Sequence, residues 1–252
     1  MRLLLDLGNT RLKWVLHDGS TEVARGAVAW NENVEAVLTE SWRELAAPSQ
    51  ILGASVVDAA REAQVAAIVT SRYAQSTYWL RTPTAACGVR SAYAEPERLG
   101  IDRFLAMVAA YHGGHAPCVL IGVGTGLTLD ALAGDGRHLG GLIAPGPQLM
   151  QQSLLGATAR VRPERPGLIL DVADNTADAV ASGCWQAAAA LVERFVARMS
   201  PKLGGSMTVS LGGGDAGQLL PLLAFPAQLM PDGVLYGLAV WANTHTPAQT
   251  SV

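Results

Sequence analysis

Apolar residues come in short, strand-length runs at the start of the chain. Arg2–Leu7, 12–17 and 22–29 are three such runs, and the third alternates polar and apolar residues as a half-buried strand does. Gly8, Asn9 and Thr10 separate the first two, so the three runs predict a meander joined by tight turns. From 33 to 45 the spacing changes, and Val34, Val37, Leu38 and Leu45 fall on one side of a helix. An apolar run of strand length follows at 51–57. The Ala-rich stretch 58–73 predicts a helix capped by Asp58, and 77–80 predicts a further strand.

A second block repeats this scheme. Cys118–Val123 reads as a buried strand, GVGTG as a glycine-spaced turn, and 127–133 and 138–143 as the next two strands, with a GDG turn between them. Helices are expected at 147–159 and 175–199, a strand at 207–211 ending in Gly212, Gly213 and Gly214, and a closing helix at 233–243. DLGNT and GVGTG thus each follow one apolar strand and precede another. A dinucleotide-binding domain would instead have a helix directly after the glycine turn. Two similar β-β-β-α-β-α halves, each giving one hairpin to a central cleft, resemble the actin, hexokinase and acetate-kinase superfamily. That resemblance implies an α/β fold of two ribonuclease-H-like (actin-like ATPase) lobes, each a mixed five-stranded sheet with helices, and a nucleotide cleft between them. The lobes are expected at 1–114 and 115–252.

Composition narrows the functional classes. Half of the residues are hydrophobic and 15% are charged, which favours a large core over disorder. A formal net charge of -3 provides no basic field, so nucleic acid is not expected as a partner. The three cysteines (Cys87, Cys118, Cys184) are widely spaced and form no CxxC pair, which fits a reducing compartment better than a disulfide frame or a zinc site. An acid at position 6 interrupts the first apolar run, and no run of eighteen apolar residues occurs. The expectation is a cytoplasmic protein without a membrane span.

Three segments carry candidate chemistry. In DLGNTRLK (residues 6–13), Gly8 lets a phosphate approach the backbone, and the amides and hydroxyl at Asn9 and Thr10 are donors for it. Asp6 at a strand end is a candidate for a hydrated magnesium ion, and Lys13 for a terminal phosphate. The bland alternative is an ordinary Asn/Gly turn with a surface lysine. GVGTG is less specific alone; paired with the first hairpin, it makes Thr125 a second phosphate contact. In YAEPERLGIDR, Asp102 and Arg103 open a helix. Asp102 is either a first-turn acid favoured by the helix dipole or a general base for a substrate hydroxyl, with Arg103 either solvated or bound to an anion.

DLGNTRLKW, LGIDR, GVGTGLT followed by Asp130, GGLIAPG (140–146) and DNTADAVASG (174–183) occur in the order and spacing of the type III pantothenate kinases. The chain resembles that family over nearly its whole length. The resemblance implies ATP-dependent phosphorylation of pantothenate to 4'-phosphopantothenate, the first step toward coenzyme A, by a homodimer using Mg2+ with ATP. Matched position by position, it makes Asp6, Leu7, Gly8, Asn9, Thr10, Arg11, Leu12, Lys13 and Thr125 the ATP-binding residues. It makes Asp102 the proton acceptor, and Tyr93, Gly100, Ile101, Asp102, Arg103 and Thr176 the substrate pocket, with Thr176 able to serve either its own or a neighbouring subunit.

One position departs from the family pattern. Many members have Asp at the start of the second hairpin, where it helps hold a monovalent cation, K+ or NH4+. This chain has Gly122, which offers no carboxylate. Two alternatives remain open at this level: another small-molecule kinase of the same fold, or a non-catalytic transcription accessory factor. The six tryptophans are scattered and read as packing; His112 and His115 read as part of an interdomain turn.

Overall fold

The computed structural model describes residues 1–19, 21–159 and 161–245. They form two compact units, Met1–Gly113 together with the helix from Gly233, and Gly114–Asp232. In the first unit the meander is β1 (Arg2–Leu7), β2 (Arg11–Asp18) and β3 (Thr21–Ala29). Helix α1 (Val34–Ser41), β4 (Gln50–Ser55), α2 (Ala59–Tyr73) and β5 (Tyr78–Trp79) follow. The sheet order is β3-β2-β1-β4-β5, with β1 antiparallel to β2 and parallel to β4. Side chains alternate across a strand. Leu3, Leu5 and Leu7 therefore join Leu12, Trp14 and Leu16 in one core, into which α2 sends Val65 and Val69. Leu4 and Asp6 belong to the opposite face of β1.

A small hairpin, β6 (Ala85–Ala86) with β7 (Val89–Arg90), was not expected from the sequence. Its turn residue Cys87 has a positive φ of 49°, a conformation that a Cys-Gly pair gives little reason to anticipate. It leads to α3 (Ile101–His112), the helix that Asp102 and Arg103 were expected to open.

The second unit repeats the first. Strands β8 (Cys118–Val123), β9 (Gly126–Leu132) and β10 (His138–Pro145) form the meander, followed by α4 (Pro147–Ala157) and α5 (Thr176–Met199). Next come β11 (Thr208–Gly212), the short α6 (Ala216–Leu219) and β12 (Gln228–Leu229). The order β10-β9-β8-β11-β12 is that of the first sheet, strand for strand. Val119, Ile121, Val123, Leu127 and Leu129 bury against Trp185, Ala188 and Val192 of α5. The two mixed five-stranded sheets with helices are the architecture the internal echo implied.

The domain boundary differs from the expectation at its far end. The sequence assigned everything after residue 114 to the second lobe, whereas α7 (Gly233–Thr244) belongs to the first unit. It packs on α3 and against β1 and β4, and Arg2 donates to the Asn243 side-chain carbonyl. At the crossing with α3, a Cβ on Gly237 would run into the Leu105 carbonyl oxygen, so only glycine permits this approach. Chain order cannot reveal a return of this kind. Helix α1 is also shorter than the 33–45 pattern: it stops at Ser41, and Trp42 leaves its axis to bury fully in the core beside Trp14 and Tyr73.

Candidate active site

The first hairpin sets Asp6 directly opposite Lys13, so an acid and a base share one face of the ladder, both half-buried. The turn itself is exposed at Asn9 and Thr10. Its backbone is closed by Gly8 N–H to the Arg11 carbonyl at 3.2 Å. Trp30, read from the sequence as packing, braces this turn twice. Its indole N–H donates to the Gly8 carbonyl at 2.7 Å, and its backbone N–H to the Thr10 carbonyl at 3.2 Å. Leu7 and Leu12 are core residues, so any contact they make outside the fold is through backbone.

The second hairpin is braced differently. Gly124 N–H closes on the Gly126 carbonyl at 3.1 Å, Gly146 N–H donates to the Thr125 carbonyl at 2.9 Å, and Asp215 N–H to the Val123 carbonyl at 3.1 Å. The supporting chains pass very close. A Cβ on Gly146 would strike the Gly124 carbonyl oxygen, and one on Gly213, whose φ is +96°, would strike the Val123 backbone. Thr125 is exposed at the tip. The turn glycines themselves are a contrast. A Cβ on Gly8 would meet no protein atom closer than 3.5 Å, and one on Gly124 would have nothing within 4 Å.

At Gly122 the neighbour is Thr128, its cross-strand partner. A Cβ there would come within 2.5 Å of Thr128 Oγ1, so the threonine hydroxyl occupies the start of any side chain at 122. Two residues on, Asp130 is buried and bonds His138 (Oδ1 to Nε2, 2.9 Å), a pair the sequence did not signal.

Helix α3 begins with Gly100 at the N-cap position and Asp102 in its first turn. Asp102 Oδ1 accepts the Arg103 backbone N–H at 2.8 Å. Arg103 is buried at 7% exposure, which is costly for a cation unless its donors are used. Its Nη1 donates to the Tyr93 hydroxyl at 3.2 Å, and its guanidinium carbon lies 5.9 Å from the Tyr93 ring centroid. Ile101 is a core residue, leaving its backbone for any other role. Tyr93, Gly100, Asp102 and Arg103 thus form one contact set, in the same unit as Asp6 and Lys13.

Thr176 lies in the other unit, exposed in the first turn of α5. It is not the cap; Asn175 is, with its side-chain oxygen accepting the Asp178 N–H at 3.1 Å. Asp178 is buried and takes both Arg165 nitrogens (2.8 and 2.9 Å), the Leu168 N–H and the Asn175 amide. The Arg165 guanidinium, helped by those further donors, holds the Asp178 carboxyl well below the usual carboxylate range. Ser182, one turn further, accepts from Leu170 N–H and donates to the Leu168 carbonyl. Much of DNTADAVASG is therefore a seat for the segment 165–171. Among the described residues, no group of three or more His, Cys, Asp or Glu could hold a metal, and no helix is long and apolar enough to cross a membrane.

Known proteins resemble this chain in sequence and in fold. The family model for type III pantothenate kinase matches residues 2–198. A type III pantothenate kinase of Xanthomonas campestris pv. campestris is 40% identical over 97% of this chain and 98% of its own. One from Nitrosospira multiformis is 37% identical over 96% of this chain and 90% of its own. Among solved structures, the activator of 2-hydroxyisocaproyl-CoA dehydratase from Clostridium difficile with bound ADPNP superposes with a TM-score of 0.57 at 13% identity, covering 96% of this chain and 93% of that one. A ROK family glucokinase from Streptomyces griseus in complex with glucose and AMPPNP gives 0.53 at 14%, covering 97% and 99%. At such identities the two structures speak for the fold, that of the hexokinase and actin-like ATPases. The family match and the relatives go further: this chain belongs to the type III pantothenate kinases.

Proposed function

We propose that the chain transfers the γ-phosphoryl group of ATP to the primary hydroxyl of pantothenate, giving 4'-phosphopantothenate at the first step of coenzyme A biosynthesis. The observation that carries the reading is Asp102 in the first turn of α3, beside the buried Arg103 on its half-buried partner Tyr93, and in one unit with the Asp6 hairpin. Residues 6–13 bind ATP, with turn amides and the Thr10 hydroxyl donating to phosphate oxygens, and Thr125 adds a contact from the second hairpin. Neither packing nor backbone conformation demands glycine at 8 or 124, which supports close approach of phosphate there.

Transfer through a loose transition state leaves positioning and charge neutralisation as the main tasks. Asp102 orients the hydroxyl and takes its proton as the new oxygen–phosphorus bond forms and the bond to ADP breaks. Arg103, already fixed on Tyr93, binds the substrate carboxylate at small entropic cost. Gly100, Ile101 and Tyr93 line the pantothenate pocket. Asp6 would hold magnesium through water, a demand that one half-buried carboxylate fits because this ion keeps most of its waters. When bound, the ion spreads the phosphoryl charge. Potassium or ammonium is expected to matter little, because Gly122 offers no carboxylate to hold either ion.

We read the working form as a cytoplasmic homodimer. Ile143, Leu154, Leu168, Leu170 and Val172 of the second unit are exposed, and apolar side chains of this size favour a partner surface. The three cysteines are free. The test is ADP release with mass-spectrometric identification of the product, using pantothenate and a panel of sugar and amino-sugar acceptors in potassium, ammonium or sodium. Pantothenate-dependent ADP matched by phosphopantothenate is expected in all three salts. ADP released equally without pantothenate, or only with a sugar, would contradict the reading.

A further inference from the structure

Asp102 can act only if the turn that carries it is held at a fixed place relative to the hairpin strand. A run of hydrogen bonds in the first unit supplies that hold. Asp6 and Leu5 of β1 stand in register with Ala54 and Gly53 of β4. The Gly53 carbonyl accepts the Leu80 N–H at 2.8 Å. Two residues later Thr82, buried at 7% exposure, donates its hydroxyl to the Leu99 carbonyl at 2.6 Å. Leu99 is itself buried and directly precedes Gly100, the first residue of the Asp102 turn. A buried hydroxyl on a buried carbonyl is a strong directional restraint, because neither group has water to turn to.

We propose that Thr82 is a positioning residue for phosphoryl transfer: its hydroxyl fixes the Leu99 carbonyl and so sets Asp102 against the strand that carries Asp6. The proposal rests on the reading of Asp102 as proton acceptor. Thr82 touches neither substrate and acts through the backbone of 99–102. Asp102 Oδ1 accepts the Arg103 backbone N–H of the same turn at 2.8 Å, so a small shift of this turn moves the carboxylate.

The test compares wild type, Thr82→Val, Thr82→Ser and Asp102→Asn in one assay of phosphopantothenate formation, with melting curves for each. Valine keeps the shape and loses the hydroxyl; serine restores it. We expect kcat of Thr82→Val to fall roughly tenfold to a hundredfold, the cost of displacing a reacting group by about 1 Å. The KM for ATP should stay within about twofold of wild type, as a uniform loosening of the fold would not leave it, and Thr82→Ser should recover most of kcat. A folded Thr82→Val with wild-type kcat, a serine variant as impaired as valine, or an ATP KM that rises in step with the loss of kcat would overturn the proposal. If the valine variant does not fold, Thr82→Ala removes the hydroxyl without a new methyl and is judged by the same split. Failure of the underlying reading is distinct: inactive wild type refutes the function, and an active Asp102→Asn refutes the base.

Discussion

At the tip of the β1–β2 hairpin a side chain carries the turn, with Trp30 bonding the carbonyls of Gly8 and Thr10 by its indole and its backbone N–H. At the tip of β8–β9 backbone carries backbone, with Gly146 and Gly213 pressed against residues 123–124 at distances no side chain allows. The two sheets have the same strand order, yet the first hairpin bears the ionisable pair Asp6–Lys13 where the second has Gly122–Thr128. What the two turns share is a glycine, Gly8 or Gly124, that nothing in the protein requires. The difference separates two meanings of one residue type: glycines that the fold needs, and glycines that the fold does not need and that the proposed function assigns to ATP.

The largest predicted effect tests whether the first unit holds the acceptor chemistry. Gly100→Ala adds a Cβ that meets only the far end of Asp102, a flexible carboxylate that can turn aside. The fold should persist, while kcat for phosphopantothenate falls by about a hundredfold; unchanged kcat would break the link between this turn and catalysis. A smaller effect is expected at the side-chain brace. Trp30→Phe removes the indole donor and leaves the ring, a loss of about 1 kcal/mol, and should raise the ATP KM several-fold with kcat little changed. An equal loss for pantothenate would show that the indole supports the whole unit and not the ATP turn alone.

How much of this the sequence disclosed follows from the range of the forces involved. Strands, helices and the cap at Asp58 were legible because period and capping are local properties, although the cap at Asn33 was not read. The placement of α7 on the first unit was not, nor was the Trp30 brace, because each depends on a contact between distant segments. The residues 6–13 and 100–103 stood out as candidate chemistry, since an acid beside glycine at an element end is a local signal. Thr82 and the Asp130–His138 pair gave none. In DNTADAVASG the motif was visible, but its use was not: two of its side chains, Asp178 and Ser182, hold the segment 165–171, and Asn175 in turn holds Asp178.

That seat gives the smallest prediction, visible only in acid. The folded-state pKa of Asp178 is depressed by Arg165, so its stabilising contribution is complete above the ordinary carboxylate pKa of about 4 and is lost as pH falls through the lower folded value. Asp178→Asn should lower the melting temperature at neutral pH and make its decline below about pH 4 shallower than in wild type. A parallel decline in both proteins would mean that other carboxylates govern acid unfolding, and the second unit's supports would then not include this pair.

The claim that the turn glycines serve ATP while the bracing glycines serve the fold is tested most directly by melting temperature and ATP KM measured together on Gly8→Ala and Gly146→Ala. Gly8→Ala is predicted to melt with wild type and to raise the ATP KM by about tenfold or more, roughly the loss of one good phosphate contact. Gly146→Ala is predicted to melt at least about 5 °C lower, the effect of a strained core contact in a unit of this size. A Gly8→Ala protein that melts as early as Gly146→Ala, or binds ATP as wild type does, would contradict the account.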